Sequence, residues 1–98
     1  MNNTPTDLND AINILMSELS ESDLTRIKDG YLTDFNMNLG MNIRSNWKLW
    51  DNSKLAQWFA ERGVRHADGA STIILTTLQR ILNKEDIRLD EQISIHQD

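Results

Sequence analysis

The sequence predicts an all-α protein that folds as one compact domain. Leucine and isoleucine recur at the three- and four-residue spacing of amphipathic helices. The 98 residues contain one proline and four glycines, and only 6% are aromatic. A chain of this length buries one modest core. We expect a bundle of five helices over residues 1–98, with a short sixth helix as an open question at the C-terminus and with residues 1–5 and 96–98 frayed.

The first two predicted helices form a hairpin with almost no loop. Thr6 or Asp7 caps the first helix, which runs to about Leu19. Ser20 and Asp23 resemble a capping box and predict a second helix that stops near Gly30. The inward residues follow the helical repeat: Leu8, Ala11, Ile12, Leu15, Leu19, Leu24 and Ile27.

The third and fourth helices are predicted from the middle of the chain. Apolar spacing resumes at Tyr31 and ends near Ser45 or Asn46. A cap signal that closes with Ser53 precedes the fourth helix, which Gly63 terminates. The inward residues are Leu32, Phe35, Leu39 and Ile43 in the third helix and Leu55, Trp58 and Phe59 in the fourth.

A polar loop over residues 64–70 is expected to lead into the fifth helix, capped by Asp68 or Ser71 and ending near Asn83. Successive apolar residues in this helix indicate burial on more than one side, so we expect it to be central. Its inward residues are Ile73, Ile74, Leu78, Ile81 and Leu82. The tail from Lys84 fits a short helix from Leu89, which we favour, or an extended strand.

Residues 39–50 combine large apolar side chains with polar ones. Trp47 and Trp50 are expected to anchor the core, because each indole removes roughly 200 Å² from water on burial. With Trp58 and Phe35 they should form a cluster against the fifth helix. Arg44 and Asn46 are interpreted as structural polar residues near a helix end.

A resemblance to a known family rests on the same stretch. Residues 40–50 read Gly-Met-x-Ile-Arg-x-Asn-Trp-x-Leu-Trp, and His66-x-Asp68-x-x-Ser71 follows. Over about residues 30–95 the chain resembles a family of small bacterial proteins of unknown function. Ser45, Lys48 and Ala67 stand where the family pattern has Asn, Gly and Pro. The resemblance implies no activity, and the missing proline removes a fixed φ angle before Asp68.

Charge is uneven along the chain, whose net charge is −5. Residues 1–30 carry six acids and two bases (−4), residues 31–82 four acids and six bases (+2), and residues 83–98 five acids and two bases (−3). Such ends disfavour nucleic acid. They are interpreted first as solvated surface that keeps the chain soluble, and the alternative is that they face a basic protein partner. With no cysteine, no leader pattern and no membrane-length apolar run, we expect a cytoplasmic protein.

The polar set near residues 44–71 invites catalytic interpretations that we disfavour. His66, Asp68 and Ser71 lie close in sequence at a helix start, where they suit caps better than a hydrolase triad. Two histidines and no cysteine make a zinc site unattractive, and we expect no metal or cofactor. An ion pair between Arg44 and Asp68 is the favoured interpretation, and its one-sided removal from a buried site would cost several kcal/mol.

Functionally, the sequence favours a small acidic, non-enzymatic protein-binding module of the immunity, antitoxin or phage-encoded inhibitor kind, which occludes its partner. The acidic surface around the first two helices and the tail would make the contact, through Asp7, Asp10, Glu18, Glu21 and Asp23. A small-anion or nucleotide site at Arg44, Arg65 and His66 is one alternative. A homodimer formed by an apolar patch on the first helix is another.

Overall fold

The computed structural model describes residues 4–29, 40–49 and 53–97, and six helices lie within these ranges. They are α1 (Leu8–Glu18), α2 (Glu21–Lys28), α3 (helical residues 40–46), α4 (Lys54–Ala60), α5 (Ala67–Leu82) and α6 (Leu89–His96). The described ranges contain no strand, so the all-α prediction is confirmed and the tail forms the short sixth helix. None of the described helices is long and apolar enough to cross a membrane.

Three helices begin at side-chain caps that the sequence predicted. Asp7 Oδ1 accepts a hydrogen bond from the Asp10 N–H at 2.8 Å, and Ser20 Oγ accepts one from the Asp23 N–H at 3.1 Å. Ser53 Oγ accepts one from the Ala56 N–H at 3.2 Å. Each bond satisfies a backbone donor that the helix itself leaves unpaired, which is worth about 1 kcal/mol.

Three helices end at a residue in the left-handed conformation. Gly63, with φ of 88°, follows α4 as predicted, and the next N–H, of Val64, donates to Phe59 O at 3.0 Å. Lys48 (φ 53°) and Lys84 (φ 57°) play the same part after α3 and α5. These are Schellman turns, for which glycine is the usual residue. Lys48 and Lys84 therefore occupy positions at which glycine would carry less backbone strain.

The start of α5 differs from the prediction. The helix begins at Ala67 with His66 as its N-cap residue, so the expected loop over residues 64–70 ends at His66. Neither Asp68 nor Ser71 caps it, because both lie inside the helix, where Ser71 Oγ donates to Asp68 O at 3.0 Å. The His66 side chain makes no capping bond either.

The core is organised around α5, which packs against α1, α2, α4 and α6 as its predicted central place requires. Ile73, Ile74, Leu75 and Leu78 are fully buried, whereas the predicted inward residues Ile81 and Leu82 are only half-buried at its C-terminal end. The partners from the other helices include Leu15, Ile27, Ile43, Leu55, Phe59 and Ile93.

The predicted aromatic cluster is present only in part. Trp47 is fully buried, and its indole N–H finds no hydrogen-bond acceptor among the described residues. Trp58, predicted to point inward with it, is instead half-buried at the edge of the core. The neighbouring Phe59 is the residue of this pair that is buried. Trp50 and Phe35 lie outside the described residues, as do the first part of the predicted third helix and Gly30.

Some described residues near the chain ends are buried or bonded. Pro5 is buried. His96 belongs to α6, and the Gln97 side chain donates to Arg62 O at 3.1 Å. The fraying expected for residues 1–5 and 96–98 stays a prediction, and residues 1–3 and 98 lie outside the described ranges.

Candidate functional site

Arg44, Asp68 and Ser71 meet where the end of α3 crosses the start of α5. The Arg44 guanidinium donates to Ser71 Oγ at 2.9 Å through Nη1 and lies 3.3 Å from Asp68 Oδ1. The Arg44 side chain is 14% exposed and that of Asp68 is 79% exposed, while Ser71 is fully buried. The predicted ion pair is therefore present, and its Asp68 carboxylate is exposed to solvent whereas its Arg44 side chain is mostly buried.

This arrangement joins two helices and does not prepare a nucleophile. The Ser71 hydroxyl donates a hydrogen bond to the Asp68 carbonyl and accepts one from Arg44, so among the described residues its proton faces a backbone oxygen and not a basic side chain. Removing Arg44 leaves an exposed carboxylate, and removing the Asp68 carboxylate leaves the guanidinium still bonded to Ser71. The expected penalty of several kcal/mol for a buried charge without a partner therefore applies on neither side, and the cost of losing Arg44 comes mainly from its hydrogen bond to buried Ser71.

Around the alternative anion site the described residues enclose little space. Arg65 and His66 are exposed, and the cavity between their backbone and Leu49, Phe59 and Ala70 has a volume of about 10 Å³. Such a space holds about one water molecule. Arg44 is engaged with Ser71, and Asn46, predicted as a structural partner, is exposed on α3. Within the described ranges no three His, Asp or Glu side chains group as metal ligands.

A concave surface larger than this cavity lies beside Trp58 of α4. We name it the Trp58 groove: it has a volume of about 470 Å³, within the range of roughly 300–1,000 Å³ that is typical of ligand sites. Three segments meet there, the first turn of α1, α4 and the connection from α5 to α6. Its lining residues are Asp7, Leu8, Asn9, Trp58, Asp86, Ile87, Arg88 and Leu89.

The apolar wall of the groove is held in place from behind. The Trp58 ring meets Phe59 edge-on, with centroids 5.0 Å apart, and carries the Arg62 guanidinium 3.8 Å from its centroid. Arg62 also donates to Trp58 O at 2.8 Å and does not line the groove. These contacts fix the indole at the edge of the core, where it presents aromatic surface to the groove.

The connection between α5 and α6 is also tied down. The Ile87 carbonyl accepts hydrogen bonds from Arg80 Nη1 at 2.6 Å and from Gln92 Nε2 at 2.9 Å. Gln92, which is buried, also donates to Thr77 Oγ1 at 3.2 Å. The backbone on this side is therefore positioned by α5 and α6, which keeps the groove preformed.

The groove brings together the two acidic ends of the chain. Asp7 comes from the N-terminal segment and Asp86 from the C-terminal one. Arg88 also lines the groove, but its guanidinium lies 3.7 Å from Glu91 Oε2 in an exposed pair. The lining thus has apolar members, which we call the wall, and charged members, which we call the rim: two carboxylates and one arginine.

Only one of the five predicted contact carboxylates lines this groove. Asp10 accepts hydrogen bonds from the Thr6 backbone N–H and hydroxyl, at 3.2 and 3.1 Å, and so helps to cap α1. Glu18, Glu21 and Asp23 lie at the other end of α1, about 16 Å away at the helical rise of roughly 1.5 Å per residue. The structure therefore divides the predicted acidic surface into two places.

The sequence did not reveal the apolar members of the groove. Helical spacing predicts that Trp58 lies in the core, and the tail pattern places no part of a site at Leu89. One signal was present, since Arg62 follows Trp58 by one helical turn, a spacing at which a cation covers an indole at an exposed position. The apolar patch expected on α1 is reduced to Met16, at 42% exposed, because Ile14 is half-buried against the core.

Residues 4–82 match a family described as a domain of unknown function (DUF6794). The match covers about four fifths of the chain, so the protein belongs to this family, and the resemblance to a small family of unknown function is confirmed. It includes α1 to α5 and stops before α6. Neither the curated proteins nor the solved structures contain a significant match to the chain.

Proposed function

We propose that this member of a family of unknown function is a non-enzymatic protein-binding module that uses the Trp58 groove to hold a partner. One observation carries the proposal: a preformed apolar groove whose rim carries one carboxylate from each acidic end of the chain. Both ends were predicted to supply the surface for a basic partner, and one member of each lines this groove.

The composition of the groove suits protein recognition. Tryptophan is enriched among the residues that dominate binding energies, and an aromatic wall inside a polar rim is the usual anatomy of such interfaces. Rim carboxylates speed the approach of a basic surface and reject acidic ones. Because the wall is held by Phe59, Arg62 and the bonds to Ile87, binding needs little further ordering.

The mode of action in this proposal is occlusion. A chain of 98 residues with net charge −5 is suited to cover a basic functional surface of another protein, as immunity proteins, antitoxins and phage-encoded inhibitors do. A bacterial or phage origin and a cytoplasmic location belong to the same proposal. No chemical step is assigned to Ser71, because its hydroxyl is buried and bonded on both sides.

Affinity purification from the native host tests the proposal. The tagged wild-type protein is compared with Ile87→Glu, which puts a charge into the groove, and with Met41→Glu, which makes the matched change at a residue that is 59% exposed on α3. We expect one stoichiometric partner with the wild type and Met41→Glu, and its loss with Ile87→Glu. A folded wild-type bait that retains no stoichiometric partner contradicts the proposed function.

A further inference from the structure

We infer that the Trp58 groove receives an arginine of the partner together with an aliphatic residue next to it, an inference that rests on the proposed function. The groove offers two kinds of surface at once. Leu8, Trp58 and Leu89 provide apolar area, and Asp7 and Asp86 provide negative charge at its rim. A purely apolar segment would leave the carboxylates without a partner, and a purely basic one would leave the wall in water.

The charges of the groove leave room for an incoming cation. Asp86 is exposed and makes no hydrogen bond or ion pair with the described residues. Asp7 uses Oδ1 in the cap of α1, which leaves Oδ2 for a ligand. Arg88, the basic residue of the lining, has Glu91 as its partner. A guanidinium that enters the groove therefore meets two carboxylates with free acceptor sites.

Arginine fits this site better than lysine for a geometric reason. Its planar guanidinium stacks on aromatic rings, donates two parallel hydrogen bonds to a carboxylate and is less strongly hydrated than an ammonium. Trp58 already carries one guanidinium, that of Arg62, at 3.8 Å from the ring centroid. A second arginine, arriving from the groove, combines the remaining indole surface with the rim carboxylates.

Three peptides that differ in one residue test the inference: acetyl-Ala-Leu-Arg-Leu-Ala-amide and the same peptide with Gln or Glu in place of Arg. Each is titrated into the ¹⁵N-labelled protein, with the Trp58 indole N–H signal assigned from Trp58→Phe. We expect saturable shifts of that signal and of the Ile87 and Leu89 amides, with affinity in the order Arg, Gln, Glu. Added salt should weaken the Arg peptide selectively.

Two matched variants test the role of the rim. Asp86→Asn removes one charge, and Asp7→Asn does the same while preserving the helix cap, since asparagine caps as well as aspartate. Each should weaken the Arg peptide by about two- to fivefold, the effect of an exposed ion pair, and leave the Gln peptide unchanged. Equal binding of the three peptides, equal loss for the Arg and Gln peptides, shifts away from the groove or no binding overturns the inference.

The two proposals can fail separately. A stoichiometric host partner that is lost with Ile87→Glu, combined with peptides that do not discriminate by charge, rejects the arginine but keeps the groove. A host partner that tolerates Ile87→Glu rejects the groove as its site. The absence of any host partner rejects the protein-binding function itself, whatever the peptides do.

Discussion

Replacing Arg44 by alanine tests how α3 is attached to α5. The guanidinium is 14% exposed and donates to the buried Ser71 hydroxyl at 2.9 Å, and hydrogen bonds from charged groups are worth about 1.5–3 kcal/mol. The ion pair with Asp68 adds at most about 1 kcal/mol, because that carboxylate is 79% exposed. We expect Arg44→Ala to lower the free energy of unfolding by about 2–3 kcal/mol.

The Asp68 side of the pair should behave differently. Asp68→Asn removes the charge from an exposed position in the first turn of α5, so the expected loss is about 1 kcal/mol or less, including the favourable interaction with the helix dipole. Urea denaturation followed by far-ultraviolet circular dichroism measures both losses. The double variant should show a coupling energy below about 1 kcal/mol.

Two results would refute this reasoning. If Asp68→Asn were as destabilising as Arg44→Ala, the ion pair and not the bond to Ser71 would hold the helices together. If Arg44→Ala cost less than about 0.5 kcal/mol, the end of α3 would be held by its apolar residues alone. Ser71→Ala, which removes the acceptor at a fully buried position, is the companion measurement and should resemble Arg44→Ala.

Three further predictions concern the helix ends. Ser20→Ala removes the cap of α2 and should lower the free energy of unfolding by about 1 kcal/mol in thermal denaturation. Ser20→Asp keeps a capping side chain and should not. Equal losses for the two variants would argue against the cap. Lys48 has a left-handed backbone conformation, which glycine adopts without strain, so Lys48→Gly should raise the free energy of unfolding by about 0.5–1 kcal/mol in urea denaturation. Lys48→Ala should not raise it. A glycine variant that is less stable than the wild type would contradict the left-handed conformation. Gly69→Ala places a methyl group 3.3 Å from His96 Cβ. Amide hydrogen exchange in α6 should therefore become faster relative to α5. Unchanged exchange would show that His96 can move aside at little cost.

The parts of the fold that were predictable depend on local interactions. The caps at Asp7, Ser20 and Ser53 bond to backbone groups three residues away, so the residue type and its spacing suffice. The start of α5 was mispredicted because Ser71 is a good local cap but is used by a distant residue, Arg44. Local sequence spacing does not show that a side chain 27 residues away will bond to Ser71.

The candidate site was less predictable for a related reason. Charge along the chain identified Asp7, but the groove exists only because the α5–α6 connection returns to the start of α1, and no local pattern predicts that return. Trp58 was misplaced because periodicity shows on which face of a helix a residue lies and does not show how far the neighbouring helix covers that face. The pair of Arg44 and Asp68 was predicted, but the unequal exposure of its members was not.

We propose that a partner protein sits in the Trp58 groove. The most direct measurement places a photoreactive benzoylphenylalanine at position 87, in the groove, and in separate variants at positions 41 and 95, where Met41 and Ile95 are exposed outside it. Irradiation in the native host should yield one discrete protein adduct from position 87 and none from the other two. An adduct from position 41 or 95 alone, or no adduct from any folded variant, would contradict the claim.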